Sequence, residues 1–163
     1  MIKLRSFQKK DATRLAMLAN EKAIANQLMN RFPHPYSLKD AQDFIQFAEE
    51  NTKRIYAVEY NNELAGGVGI HPQSDIFCKN AELGYWIGKQ YWNKGIASEV
   101  VKQIIPIAFD KFEITRLFAR PFHTNIASQR VLKKNGFIFE AEFAESIFKN
   151  GEFYNEMIFG LRR

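Results

Sequence analysis

The chain has 163 residues, a size at which folding buries about two-thirds of the unfolded surface, and 46% hydrophobic against 25% charged residues makes it globular rather than disordered. A single cysteine, Cys78, excludes an intrachain disulfide framework and a cysteine metal cluster, and His34, His71 and His123 lie in separate segments without metal-ligand spacing. Net charge of +5 suits an anionic partner, but Lys and Arg are scattered and no DNA- or RNA-binding motif appears, and neither an apolar leader nor a run near ~18 apolar residues is present, so a cytoplasmic, non-membrane protein is expected.

No linker, repeat or low-complexity tract interrupts the chain, which predicts one domain over 1–163. IKLRSF (2–7) alternates like a strand. Asp11 is placed to cap a helix carrying Leu15, Leu18 and Ala19 on one face. RFPHPYS (31–37) is a proline-bracketed loop, and Ser37 with Asp40 three residues on forms a capping-box variant. The following helix has an apolar stripe of Leu38, Ala41, Phe44, Ile45 and Ala48.

RIYAVEY (54–60), the turn NNE and LAGGVGI (64–70) read as a hairpin, and AELGYWIG (81–88) as a further strand. A helix is predicted from Gly95 to about Phe112, with Pro106 removing one hydrogen bond or kinking it. TRLFARPF (115–122) is a strand, and NIASQRVLKKNGF a helix ended by Gly136. IFEAEFAESIFK and EFYNEMIFGL, joined by Asn150-Gly151, close the chain as a hairpin. The order β-α-α-β-β-β-α-β-α-β-β is mixed α/β, and 15 phenylalanines point to a Phe-rich core.

Two stretches carry chemistry. In YWNKGIASE (91–99) a glycine precedes a helix, where unpaired backbone N–H groups and the positive dipole end receive anions. The same glycine also reads as an ordinary turn residue. The spacing fits neither a P-loop nor a dinucleotide fingerprint. In the helix from 125, Asn125, Ser128 and Leu132 share a face; Asn125 is equally a natural N-cap, and Ser128 equally a plain helix serine.

ELGYWIGKQYWNKGIASE followed by NIASQRVLKKNGF resembles the GNAT superfamily of acetyl-CoA-dependent N-acetyltransferases, and within it the RimJ/RimL-like branch; PHPYS and NGEFYNEMIFGL fit that branch too. The resemblance implies a mostly antiparallel central sheet with a splayed central strand pair, flanked by helices. It implies that Trp92, Asn93, Lys94, Gly95, Ile96 and Ala97 hold the pyrophosphate of coenzyme A, and that the pantetheine arm pairs with Trp86 and Ile87. Asn125 and Ser128 would meet the arm and its thioester, and Lys94, Arg130, Lys133 and Lys134 the outer phosphate. Leu132 stands where many members have a Tyr acid, Asn93 where the branch often has Gly, and Asn155 where it often has Asp.

The resemblance also places Glu82 as general base, with a carboxylate that only pairs with a neighbour as the alternative, and Ser128 as donor to the departing sulfur. Phe32, His34, Tyr36 and Phe153 are expected at the acceptor wall. A peptide α-amine, at about 7.7–8.0, is partly neutral at pH 7, whereas a lysine amine at about 10.4 is not. The expected function is therefore acetylation of a protein or peptide N-terminus by direct attack in a ternary complex, without metal and without an acyl-Cys78. The alternatives are a small-molecule amine acceptor (polyamine, amino-sugar antibiotic or amino acid) and a non-catalytic coenzyme A module. The Phe-rich last strands would serve either a core or a homodimer.

Overall fold

The computed structural model describes residues 1–163. Its strands are β1 (Ile2–Arg5), β2 (Ile55–Tyr60), β3 (Glu63–Pro72), β4 (Asn80–Ile87), β5 (Arg116–Ala119), β6 (Ile138–Lys149) and β7 (Glu152–Arg162). The helices are α1 (Ala12–Ala19), α2 (Lys22–Ala25), α3 (Leu38–Glu50), α4 (Ile96–Lys111) and α5 (Ile126–Lys134). The fold is mixed α/β, with one seven-stranded sheet in the order β1-β2-β3-β4-β5-β7-β6. The β1–β2, β2–β3, β5–β7 and β6–β7 ladders are antiparallel, and β4–β5 is parallel. The chain divides into two compact units, Met1–Gly69 with Tyr85–Val100, and Ile70–Gly84 with Val101–Arg163. No helix is long and apolar enough to cross a membrane.

In the first unit α3 begins as its sequence dictates. Ser37 Oγ accepts the Asp40 N–H at 3.1 Å and the Asp40 carboxylate accepts the Ser37 N–H at 2.7 Å, a reciprocal cap. Ala41, Ile45 and Ala48 are buried, and Phe44 meets Phe7 edge-to-face at 5.2 Å. Leu15, Leu18 and Ala19 of α1 are buried as expected. Asp11 does not cap α1. Its buried carboxylate instead accepts two bonds from the Arg5 guanidinium, at 2.8 and 3.0 Å, and one from the Gln8 N–H at 2.9 Å. A buried carboxylate gains more from a forked guanidinium than from a helix N–H. Glu59 on β2 holds the same Arg5 at 2.6 Å.

The second unit corrects the strand expected at 115–122. Pairing as β5 stops at Ala119, and Phe122 makes only one isolated bridge, to Glu156. Pro121 has no N–H to offer a ladder, and its carbonyl instead accepts the Met157 N–H at 3.0 Å. Gly136 ends α5 at φ +86°, and Asn150 and Gly151, at φ +52° and +80°, make the turn between β6 and β7. Helix α4 runs unbroken through Pro106, which is solvent-facing.

The core is aliphatic rather than Phe-rich. Phe7, Phe122, Phe137 and Phe159 are buried, but Phe47, Phe77, Phe139, Phe143, Phe148 and Phe153 are exposed. Four of those six lie on the β6–β7 hairpin, whose outer half extends past the last β5 partner.

The tightest backbone approach in the first unit lies between β3 and β4. A Cβ on Gly66 would stand 2.2 Å from the Trp86 carbonyl oxygen and 3.0 Å from the Ile87 Cα. Substitution Gly66→Ala is expected to cost ~2 kcal/mol or more, because backbone cannot rotate away as a side chain can. Urea unfolding checks this, and an unchanged midpoint would show that the two strands have room to part.

Candidate functional site

In the first unit, the segment from β4 to α4 is fixed at both ends. The Gly88 N–H donates to the Ala65 carbonyl at 2.8 Å, and residues 89–91 form one 3-10 turn. Tyr91 is buried, with its ring edge-on to Tyr60 at 5.8 Å. Its hydroxyl accepts from Arg14 Nη2 at 2.5 Å and donates to Glu63 at 3.3 Å. The Trp92 indole N–H donates to the Ile87 carbonyl at 2.7 Å and so folds the loop back onto the strand end.

Between these anchors Asn93 has φ +60° and Gly95 φ +75°. The sequence had put Asn where a freely left-handed glycine is often found, and Asn adopts that conformation here. A Cβ at Gly95 would meet nothing within 4 Å, so the torsion and not crowding calls for glycine there. Trp92 to Gly95 are exposed, and Ile96, buried, starts the 16-residue α4. An open, left-handed backbone leading into a helix N-terminus offers outward N–H donors and positive potential, the chemistry a pyrophosphate needs. Lys94 Nζ lies 5.6 Å from the Tyr91 ring centre, and Ala97 is half-buried in the first turn.

The same unit groups Phe32, Tyr36 and Trp86. Phe32 contacts Tyr36 at 5.1 Å and Trp86 at 5.5 Å between ring centres. The indole fits because Gly67 has no side chain: a Cβ there would come within 3.0 Å of Trp86 Nε1. Tyr36 is buried, its N–H bonds Asn20 Oδ1 at 3.0 Å, and burial, with the Asp40 charge second, pushes its phenol up to about 12. His34, expected beside it, is exposed in the loop.

In the second unit Glu82 is the last β4 residue paired with β5, opposite Phe118. Arg120, two residues past Phe118, donates to the Glu156 carboxylate from Nε at 3.0 Å and Nη2 at 2.7 Å, and its Nη1 lies 3.9 Å from Glu82 Oε2. The hydrogen bond to Glu156 raises the Arg120 pKa, and the charges of Glu156 and Glu82 add to it. Arg120 and Glu156 line a trough of about 470 Å³ together with Arg116, Phe118, Phe143 and Ile158. Glu140 accepts the Arg116 guanidinium through both oxygens, which holds its carboxyl below the usual range.

Asn125 caps α5, with its Oδ1 accepting the Ser128 N–H at 3.1 Å, and Ser128 is half-buried. Leu132 is wholly buried, so its position serves packing. Lys133 Nζ lies 5.8 Å from the Phe159 ring centre, and Arg130 and Lys134 are exposed. Phe153 packs against Phe148 at 4.9 Å between ring centres, both in the second unit, whereas Phe32 and Tyr36 belong to the first.

Asn155 has a defined task. Its Nδ2 donates to Glu142 at 2.8 Å and its Oδ1 accepts the Glu145 N–H at 2.9 Å, which pins the β6 bulge where Glu145 has φ +52°. Its own N–H donates to His123 Nδ1 at 2.9 Å. Sequence reading overlooked Arg120, and Gly66 and Gly67 carried no signal beyond a glycine pair in a strand.

An acetyltransferase (GNAT) domain model matches residues 2–138. The "Uncharacterized N-acetyltransferase YoaA" of Bacillus subtilis is 30% identical over 74% of this chain and 68% of its own length. The spermidine N(1)-acetyltransferase of Escherichia coli is 25% identical over 94% of this chain and 82% of its own. RimL, a ribosomal L7/L12 alpha-N-protein acetyltransferase solved in complex with coenzyme A, superposes with a TM-score of 0.85 at 20% identity, over 99% of this chain and 93% of its own.

Two outcomes follow from the side chains. Asn155→Asp sets a second carboxylate 2.8 Å from Glu142 and is expected to cost about 1–3 kcal/mol at neutral pH. The loss should shrink as pH falls through the carboxylate range and should be relieved by adding Glu142→Gln, both read by denaturant unfolding. Tyr36, raised in the folded state, favours folding fully below the ordinary tyrosine value of about 10, and that contribution is lost as pH rises from there to about 12. In Tyr36→Phe the alkaline decline of stability should be shallower across that window.

Proposed function

The chain belongs to the GNAT acetyltransferase family and is an acetyl-CoA-dependent N-acetyltransferase, and we propose that its acceptor is the α-amine of a peptide or protein N-terminus. The observation that carries this reading is Arg120 beside Glu82. Arg120 sets a fixed positive charge 3.9 Å from Glu82, which resists a second cation there. A polyamine or lysine amine, at about 10.4, needs strong help to lose its proton, whereas an α-amine at about 7.7–8.0 needs little. Leu132, buried and without a proton to give, fits the same undemanding chemistry.

Acetyl-CoA supplies the acetyl group as a thioester. In this reading the backbone N–H groups of Asn93 to Gly95 and the start of α4 hold its pyrophosphate, while Trp92, whose own N–H is taken by the Lys89 carbonyl at 3.1 Å, anchors the loop and Ile96 and Ala97 form the first helical turn beneath. The backbone of Trp86 and Ile87, beyond the last β4–β5 pair, takes the pantetheine arm. The Ile87 carbonyl is already engaged by Trp92; in this reading a backbone N–H of Trp86 or Ile87 donates toward developing negative charge. Asn125 meets the arm through the amide not used in capping, and Ser128 donates to the departing sulfur. Lys94 and Lys133 meet the outer phosphate. Glu82 accepts the proton of the acceptor ammonium, directly or through a water, and Phe32 and Tyr36 wall the acceptor.

The rival acceptor is a small polyamine, as named for the spermidine N(1)-acetyltransferase. Thiol release with a panel of N-terminal peptides and with spermidine decides between them: peptides should turn over and spermidine should not, and the reverse sinks the α-amine reading. Glu82→Gln is expected to lower kcat about 10²-fold. Coenzyme A should still raise its melting midpoint, as for the parent, where ~100 Kd of ligand adds ~2.7 kcal/mol and ATP adds none. A variant that also loses the coenzyme A shift would point to a structural Glu82.

A further inference from the structure

We propose that Arg120 sets acceptor selectivity: by occupying Glu156 and facing Glu82 it keeps polycationic amines, polyamines above all, from the place that takes a single α-amine. The inference rests on the α-amine reading of Glu82. Arg120 sits just past the end of β5, where the chain leaves its ladder with β4. Two of its nitrogens are on the Glu156 carboxylate, at 3.0 and 2.7 Å, and the third is 3.9 Å from Glu82. Both carboxylates are sheltered, with 13% and 23% of their side-chain surface exposed, so the guanidinium acts on them with little screening by water.

The pattern repeats along the same face. Arg116 forks onto Glu140 and also donates to Asn80 at 3.0 Å, and Arg162 lies 3.8 Å from Glu140. Glu140 thus has Arg116 and Arg162, and Arg120 is shared between Glu156, to which it is bonded, and Glu82, 3.9 Å away. A polyamine binds through several ammonium groups, each needing a carboxylate, and here each such carboxylate already has a guanidinium. An entering second ammonium would face like charge, and discrimination built on repulsion rejects it whatever its fit. A peptide brings one charge, and the neutral residues that follow its α-amine lie well against Phe118, Phe143 and Ile158 of the trough.

The test is Arg120→Gln, which removes the charge and keeps a hydrogen-bonding side chain. Its spermidine-to-peptide ratio of kcat/KM should rise at least about tenfold, ~1.4 kcal/mol. Spermidine should also raise the melting midpoint of the coenzyme A-loaded variant and not that of the parent. Arg120→Lys, which keeps the charge, should hold the ratio near the parent value. An unmoved ratio with no spermidine-induced shift in Arg120→Gln overturns the proposal. Should that variant fail to fold, Arg120→Met puts the same question with the same readouts. A parent that turns over spermidine better than peptides sinks the α-amine reading itself, whereas a peptide-preferring parent with an unmoved variant sinks only the role of Arg120.

Discussion

The three-residue parallel ladder between β4 and β5 is the constraint on which the rest of the structure depends. It ends at Glu82 and Phe118, although β4 continues to Ile87. Glu82 is therefore held by the sheet on the side where pairing stops. The chain after β5 turns toward β7, because Pro121 has no N–H for a ladder and Phe122 bridges Glu156. That turn brings Arg120 onto Glu156 and beside Glu82.

The loop before α4 depends on a different kind of restraint. Asn93 in the left-handed region is costly unless its flanks are fixed, whereas Gly95 takes such a torsion freely. Tyr91 fixes one flank through Arg14 and Glu63, and the Trp92 indole fixes the other by tying the loop to Ile87. The donors facing solvent are thus set in place before any ligand arrives, which spares binding the entropy of ordering them.

Much of this was legible in the sequence because the signals were local. The Ser37–Asp40 box, the Asn150-Gly151 turn and the Gly136 stop each act within a few residues, and each forms as read. The cap at Asn125 forms for the same reason. What escaped depends on neighbours brought together by topology. Asp11 prefers Arg5 on β1 to its own helix, and Arg120 meets a carboxylate 36 residues away. The phenylalanines misled because composition counts residues and not faces: β6 is a sheet-edge strand solvated along most of its length, so much of its Phe content never reaches the core. Gly66 and Gly67 looked like weak strand residues, yet their missing side chains admit the backbone and indole of Trp86.

The matching of three carboxylates by three guanidiniums along one face has a consequence beyond selectivity. Paired opposite charges a few ångströms apart cancel at distances beyond the Debye length of about 8–10 Å, so this face projects little field into solution despite its six ionised groups. A charged molecule approaching this face is steered little from afar. Encounter there proceeds at the rate of unsteered diffusion and varies little with ionic strength. The loop at the start of α4, with its exposed backbone and Lys94 set against Glu99 in the first turn, attracts anions at short range instead.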